Sequence, residues 1–220
     1  IRQTRFQTIM RIAFQGEPGA YSEEAVRRVY PEGDLVPCQT FLDAFEAVGE
    51  GVADRAILPI ENSLFGSVHV NYDHLRSHPV RIVGEVQVRI RHHLMGVDDV
   101  SLDTIQCVRS HPQALGQCRA SLRSLVPQAR SEAASDTAGA AREVAAGGDP
   151  SVAAIASRQA ADRYGLTVLA AGIEDDPQNF TRFLVLAPAD ADVYPGGEGA
   201  ERFKTSLAFA LRENVPGALF

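Results

Sequence analysis

The chain has 220 residues, 45% of them hydrophobic, and carries 21 lysines and arginines against 28 aspartates and glutamates, a formal net charge of −7. That apolar content suffices for one large or two small domains with real cores, and the lack of a basic block leaves no electrostatic footprint for nucleic acid. No apolar run approaches the roughly 18 residues of a membrane span and residues 1–10 lack the apolar centre of a secretory signal, so a soluble, cytoplasmic protein without membrane contact is expected.

From Met10 to about Leu186 short apolar runs alternate with helical ones, the pattern of an α/β protein. A strand is expected over 11–14 and a helix over 22–29. A helix over 40–50 opens on Thr40-Phe41-Leu42-Asp43, which resembles a capping box with its acid at the helix amino end. A strand over 55–59, a helix over 67–76 and a strand over 81–90 follow. Next come a strand over 104–108, helices over 112–124 and 137–146, a strand over 152–156, and a helix over 158–164 that Gly165 stops. The last strand of this series is expected over 183–186. Residues 189–202, with Pro195-Gly196-Gly197-Glu198-Gly199, read as a linker. Beyond it 203–211 alternate like a strand and 216–220 begin a helix. Such a piece cannot bury a core of its own, so it is expected to open a second domain that is largely absent. No internal repeat stands out.

Four apolar strands run into turns of small polar residues that then open helices. They are Gln15-Gly16-Glu17-Pro18-Gly19-Ala20-Tyr21-Ser22, Pro59-Ile60-Glu61-Asn62-Ser63, Arg109-Ser110-His111-Pro112-Gln113, and Ile155-Ala156-Ser157. In parallel α/β sheets such turns gather at the carboxyl ends of the strands, where ligands bind. Their free N–H groups and hydroxyls suit a carboxylate or phosphate. Ser110 with Gln113 also has capping-box spacing, and Ser157 equally has the place of a helix cap. Gln113 and Gln117 share one helix face. Glu61 follows the apolar Ile57-Leu58-Pro59-Ile60; burial there would favour its neutral, proton-donating form, against an ordinary structural hydrogen bond.

A fifth polar segment, Asn179-Phe180-Thr181-Arg182-Phe183, enters a strand from an acidic turn. Strand alternation separates its groups: if Thr181 and Phe183 face a cleft, Arg182 faces away. Cys38, Cys107 and Cys118 are odd in number and contain no CxxC pair, which argues for reduced core residues over a disulfide framework or a zinc site. His74 and His78 have the i, i+4 spacing that chelates a metal on a helix, but no HExxH or carboxylate completes a ligand set. There is no GxGxxG, no phosphate-binding P-loop and no GxSxG nucleophile elbow.

Together, Gly16 to Ser22, Pro59 to Ser63 with Gly66, Ser110 to Leu115 with Gln117-Cys118, Ala153 to Ser157, and Asn179 to Phe183 resemble prephenate dehydratase and the closely related arogenate dehydratases. The likeness covers about 11–186. It implies an α/β fold of two lobes with a cleft between them, like type II periplasmic binding proteins. The catalytic domain would span 10–188, with lobe 1 at about 10–84 plus 172–188 and lobe 2 at about 85–171. Residues 203–220 would begin an ACT regulatory domain of ferredoxin-like fold, with Gly217, Ala218 and Leu219 in its phenylalanine-sensing motif. The family's later Glu-Ser-Arg-Pro motif is missing.

The activity implied is loss of water and carbon dioxide from prephenate to give phenylpyruvate, a step in phenylalanine biosynthesis that needs no cofactor and no metal. The alternatives are arogenate as substrate, giving phenylalanine directly, and a non-catalytic anion-binding module of the same fold. Carried over, Thr181 is the catalytic hydroxyl, Phe183 shapes its surroundings and Glu61 matches a residue linked to activity; Thr181 is expected to donate a hydrogen bond or to relay a proton from a better acid, for which Glu61 is the candidate. Asn62, Ser63, Ser110, Gln113, Gln117, Ala20, Ser22, Ser157 and, less directly, Arg182 are expected around the substrate. At Ala20 many bacterial relatives carry serine or threonine. Phenylalanine is the effector implied, in a homodimer or homotetramer.

Overall fold

The computed structural model describes residues 9–191. Most of the expected linker and the whole expected ACT start, with Gly217, Ala218 and Leu219, lie outside them. The chain first builds β1 (Arg11–Gln15), α1 (Tyr21–Val29), β2 (Asp34–Cys38), α2 (Phe41–Gly49), β3 (Arg55–Asn62), the short β4 (Gly66–Ser67), α3 (His69–Ser77) and β5 (Val80–Arg89). It then makes β6 (His93–Gly96), β7 (Cys107–Ser110), α4 (Pro112–Gln117), α5 (Arg119–Leu125), β8 (Arg130–Ala133), α6 (Thr137–Gly147), β9 (Val152–Ala156), α7 (Arg158–Tyr164) and β10 (Thr167–Ala171). Last comes β11 (Phe180–Pro188).

These strands form two sheets. The first runs β2-β1-β3-β11-β5, with β4 beside β3, and the second runs β10-β6-β9-β7-β8. In each lobe a central strand pairs in parallel with the next two, β1 with β2 and β3, and β7 with β8 and β9. An antiparallel strand then follows on the far side, β11 against β3 and β6 against β9. Both of these antiparallel strands arrive directly from the other lobe, so the lobes are the same arrangement built twice and joined by two crossings, 90–92 and 172–179. The first crossing lies beyond β5, which pairs with β11 along its whole length from Val80 to Arg89. Residues 85–89 therefore belong to the first sheet and not to the second lobe as expected from the sequence.

Apolar side chains cover both faces of each sheet. One face of the first sheet packs Phe45, Leu58 and Leu184 with α2, and the other packs Phe14, Val26 and Phe183 with α1. In the second lobe Ile105, Leu122 and Ile155 lie on one face and Met95, Val144 and Ala160 on the other. Local signals act as the sequence suggests: Thr40 and Asp43 form the capping box of α2, and Gly165 ends α7 in the left-handed conformation at φ 66°. The single helix expected over 112–124 is two, because Cys118 departs from helical geometry at ψ 14°. Strands β2, β4, β6, β8 and β10 lie outside the strands expected from the sequence: all have five residues or fewer, and β2, β8 and β10 are edge strands with little alternation. Proline at Pro37 is tolerated in β2 because that strand is an edge. His74 and His78 stack on Phe45, ring centroids 5.2 and 5.3 Å away.

Candidate active site

A cleft of about 480 Å³ opens between the sheets. It is lined by Gln15, Gly16 and Ala20 after β1, by Asn62 and Phe65 at the end of β3, and by His111 and Gln113 after β7. Those are carboxyl ends of parallel strands, as expected. The fourth turn does not join them: Ser157 caps α7, accepting from Ala160 N at 3.0 Å, and donates to Gly19 O at 2.6 Å.

Thr181 and Phe183 face this cleft from β11, while Arg182 turns away and pairs with Glu61 (2.9 Å) and Glu85 (3.5 Å). The polarity of the site follows from a β-bulge. Between Arg182 and Phe183 the register against β3 slips by one, so Arg182 faces Glu61, Phe183 faces Pro59, and Ile60 is the extra residue. Pro59 offers no N–H to the ladder at this point, so the slip there costs little pairing. The result sets Asn62 opposite Thr181, and Asn62 Nδ2 donates to Thr181 Oγ1 at 3.0 Å. The same amide donates to Asn179 Oδ1 at 2.9 Å, and Asn179 Nδ2 donates to Gln117 Oε1, also at 2.9 Å. His92 Nε2 lies 2.6 Å from Gln117 Oε1 and its Nδ1 lies 2.9 Å from Tyr21 Oη. Since the oxygen of Thr181 already accepts a bond from Asn62, its own proton is available to a ligand in the cleft.

Among the described residues lining the cleft there is no lysine or arginine. The donor for an anion is backbone. Helix α1 starts at Tyr21 with no side chain capping it and Ala20 extended at φ −68° and ψ 160°, so its first N–H groups are unspent. Ala20 and Ser22 line the cleft there. By contrast Asp136 caps α6, accepting from Gly139 N at 2.7 Å, and His111 Nδ1 accepts from Gln113 N at 3.2 Å. A neutral His111 therefore carries its proton on Nε2.

Burial shifts the titratable groups here. It holds His92 below its usual value, against the opposing pull of the Gln117 bond and the Glu174 carboxylate. Tyr21 is pushed well above the phenol range by burial and by the nearby Cys118, Glu174 and Glu24. Burial, with Asp175 and Glu174, likewise raises the Cys118 thiol, which excludes it as a ready nucleophile.

Several expected site residues stand elsewhere. Glu61 is exposed and spent on Arg182, so it is neither buried nor beside Thr181, and the expected proton transfer between them has no geometry. Arg182 points to the same outer face. Ser110 is fully buried and donates to Ile155 O at 2.6 Å, binding β7 to β9, and the cap of α4 is His111. Ser63 donates to Gln178 O at 2.7 Å and accepts from Phe180 N at 2.9 Å, which ties the end of β3 to the start of β11. Conversely, Asn179, His92, Tyr21, His111 and Phe65 belong to the site but are not among the residues named around the substrate, although Tyr21 and His111 stand within two of the polar turns. Asn179 lay inside the Asn179 to Phe183 segment and could have been singled out. No local pattern marks His92, whose partners are 25 and 71 residues away.

The molecule is thus a two-lobed α/β protein whose cleft, lined by both lobes, sets a row of polar groups in a largely apolar wall and has no arginine among its described lining residues. The prephenate dehydratase family model matches residues 12–191, and the chain belongs to that family. It is 48% identical over 211 residues to the arogenate dehydratase/prephenate dehydratase 2 of Arabidopsis thaliana, a chloroplastic protein, covering 96% of this chain and 54% of that one. The chain spans about half the length of the curated relatives it matches. Among solved structures, the prephenate dehydratase of Arthrobacter aurescens in complex with L-Phe aligns with a TM-score of 0.78 at 29% identity, over 95% of this chain and 69% of that one. GqqA, described as a novel type of quorum quenching acylase, aligns with a TM-score of 0.77 at 38% identity, over 84% of this chain and 66% of that one.

Proposed function

We propose that the protein catalyses decarboxylating dehydration of prephenate to phenylpyruvate, or of arogenate to phenylalanine. The observation that carries this reading is the Thr181 hydroxyl, held by Asn62 with its proton free toward the cleft. In the reaction the bond between ring and carboxylate breaks, its electron pair enters the ring, and the ring hydroxyl leaves. Carbon dioxide departs, and the leaving oxygen takes one proton from solvent in the open cleft to become water. Thr181 donates a hydrogen bond to that oxygen as charge develops on it. The amides of Asn62 and Asn179 orient the hydroxyl and do not pass protons. The uncapped start of α1 receives a substrate carboxylate, and Phe183 and Phe65 offer apolar surface to the ring.

Thr181→Ala is expected to lower kcat by about 100- to 1000-fold with KM nearly unchanged. Incubation with prephenate and with arogenate, following phenylpyruvate and phenylalanine, tests the reading and settles the preference; product from neither substrate overturns it. Ligand-dependent stabilisation without turnover would instead favour an anion-binding module. An acylase reading has less support: among the described residues of the cleft, no serine or cysteine is hydrogen-bonded to a histidine.

Regulation by phenylalanine through an ACT domain, a homodimer or homotetramer, and a cytoplasmic location are further parts of the proposal. The L-Phe complex of the Arthrobacter relative supports the first. The free thiols Cys38, Cys107 and Cys118 fit a reducing compartment, and the chloroplastic Arabidopsis relative makes a plastid the alternative. Light scattering of the intact protein with and without phenylalanine, and cell fractionation, test these points.

A further inference from the structure

Two backbone N–H groups determine the direction of every hydrogen bond between Asn62 and His92. The N–H of Leu64 (2.9 Å) and that of Phe65 (3.1 Å) both donate to Asn62 Oδ1, so the amide nitrogen of Asn62 is the atom that faces Thr181 and Asn179. Asn179 must then accept through Oδ1 and donate through Nδ2 to Gln117. Gln117 Oε1 only accepts, so the ring nitrogen 2.6 Å from it carries the proton: His92 is the Nε2–H tautomer. On its other side His92 Nδ1, the lone-pair nitrogen of this tautomer, lies 2.9 Å from Tyr21 Oη, whose one proton is shared between it and Arg91 O at 2.7 Å in the crossing between the lobes. The imidazole is 2% exposed, Asn179 is fully buried, and the Glu174 carboxylate holds the His92 backbone N–H at 2.9 Å.

We propose that His92 is the positioning residue of this site: the loop N–H groups fix the direction of the row at Asn62, and the Nε2–H of His92 pins its far end at the Gln117 amide, which holds Asn179 and Asn62 where they orient Thr181. Without that donor Gln117 loses one of the two bonds that select its orientation, and a flipped amide would present Nε2 to Asn179 Nδ2, donor against donor. Asn179 has no solvent to turn to, so the mismatch passes along the buried row to Thr181. His92 acts through Gln117 and not by contact with the reacting atoms. The inference rests on the dehydratase reading for its kinetic consequence, but the tautomer does not depend on it.

The test uses the full chain. His92→Leu is expected to reduce kcat by roughly 10- to 100-fold while KM changes less than about threefold. His92→Gln, whose amide nitrogen is as many bonds from Cα as Nε2, should restore most of the rate. In a Gln117→Met background His92→Leu should cost little more, because the two act as one unit. Additive losses, failure of His92→Gln to rescue, or a raised KM with kcat intact would overturn the proposal. Should His92→Leu not fold, 15N NMR of histidine-labelled wild type still decides: the Nε2–H form is expected, and an Nδ1–H form refutes the positioning role even if turnover is intact. Absence of turnover in the wild type with both substrates, alongside the Nε2–H form, would sink the dehydratase reading and the kinetic role that depends on it.

Discussion

Glu61 and Asn62 are neighbours in β3 and face opposite ways. Asn62 enters the cleft and holds Thr181, and Glu61 meets Arg182 on the outer face. Exposed ion pairs of this kind contribute about 0–1 kcal/mol. Glu61→Gln is therefore expected to change kcat less than about threefold and stability by under about 1 kcal/mol, measured by steady-state kinetics and urea unfolding. A loss of the size expected for Thr181→Ala would restore Glu61 as an acid. The alternation that separates Thr181 from Arg182 was legible in the sequence, since it needs only the two-residue period of a strand. The facing of Glu61 was not. It depends on a bulge at Ile60, and a bulge is a property of two paired strands.

At the scale of elements, the loop between β1 and α1 is held by the opposite lobe. Tyr164 donates to Pro18 O at 2.7 Å, Arg142 pairs with Glu17 at 2.7 Å, and Ser157 of the α7 start donates to Gly19 O. Gly19 is required there: it has φ +94°, and a Cβ would stand 2.9 Å from the Ala160 backbone. This clamp fixes the uncapped start of α1 in the cleft. Ser157→Ala removes a helix cap and leaves a buried carbonyl without its donor, an expected loss of about 2 kcal/mol and roughly 4–8 °C in Tm. A shift under about 1 °C in calorimetry would show that the clamp carries no weight. The sequence allowed Ser157 to be either a cap or a ligand; its bond to Gly19, 138 residues away, decided for the structural role.

At the scale of the whole molecule, both crossings from one lobe to the other lie beside buried or half-buried charge and imidazole. Burial holds His92 and His93 below the ordinary 6.5; Glu174 opposes this for both, Gln117 opposes it for His92, and Arg158 and Arg91 reinforce it for His93. The unfolded chain therefore binds more protons than the folded one below about pH 6.5, so their stabilisation is complete above that pH and declines as pH falls. Tm is expected to be lower at about pH 5.5 than at about pH 7.5, and His92→Gln should shrink the difference; equal values in the wild type would contradict it. Asp54, held low by Arg11, acts only below its usual 3.8 and does not enter this window.

The sequence by itself determined the α/β class, the capping box of α2, the stop at Gly165, the family resemblance and the cleft-facing side of Thr181. Each is written in neighbouring residues or in a short period. Only the tertiary structure decided that the lobes repeat one arrangement, that Ser110 and Ser157 brace strands and loops, and that His92 stands behind Gln117. Those facts depend on register and on contacts between segments far apart in the chain, where a single bulge or crossing reassigns which polar groups meet.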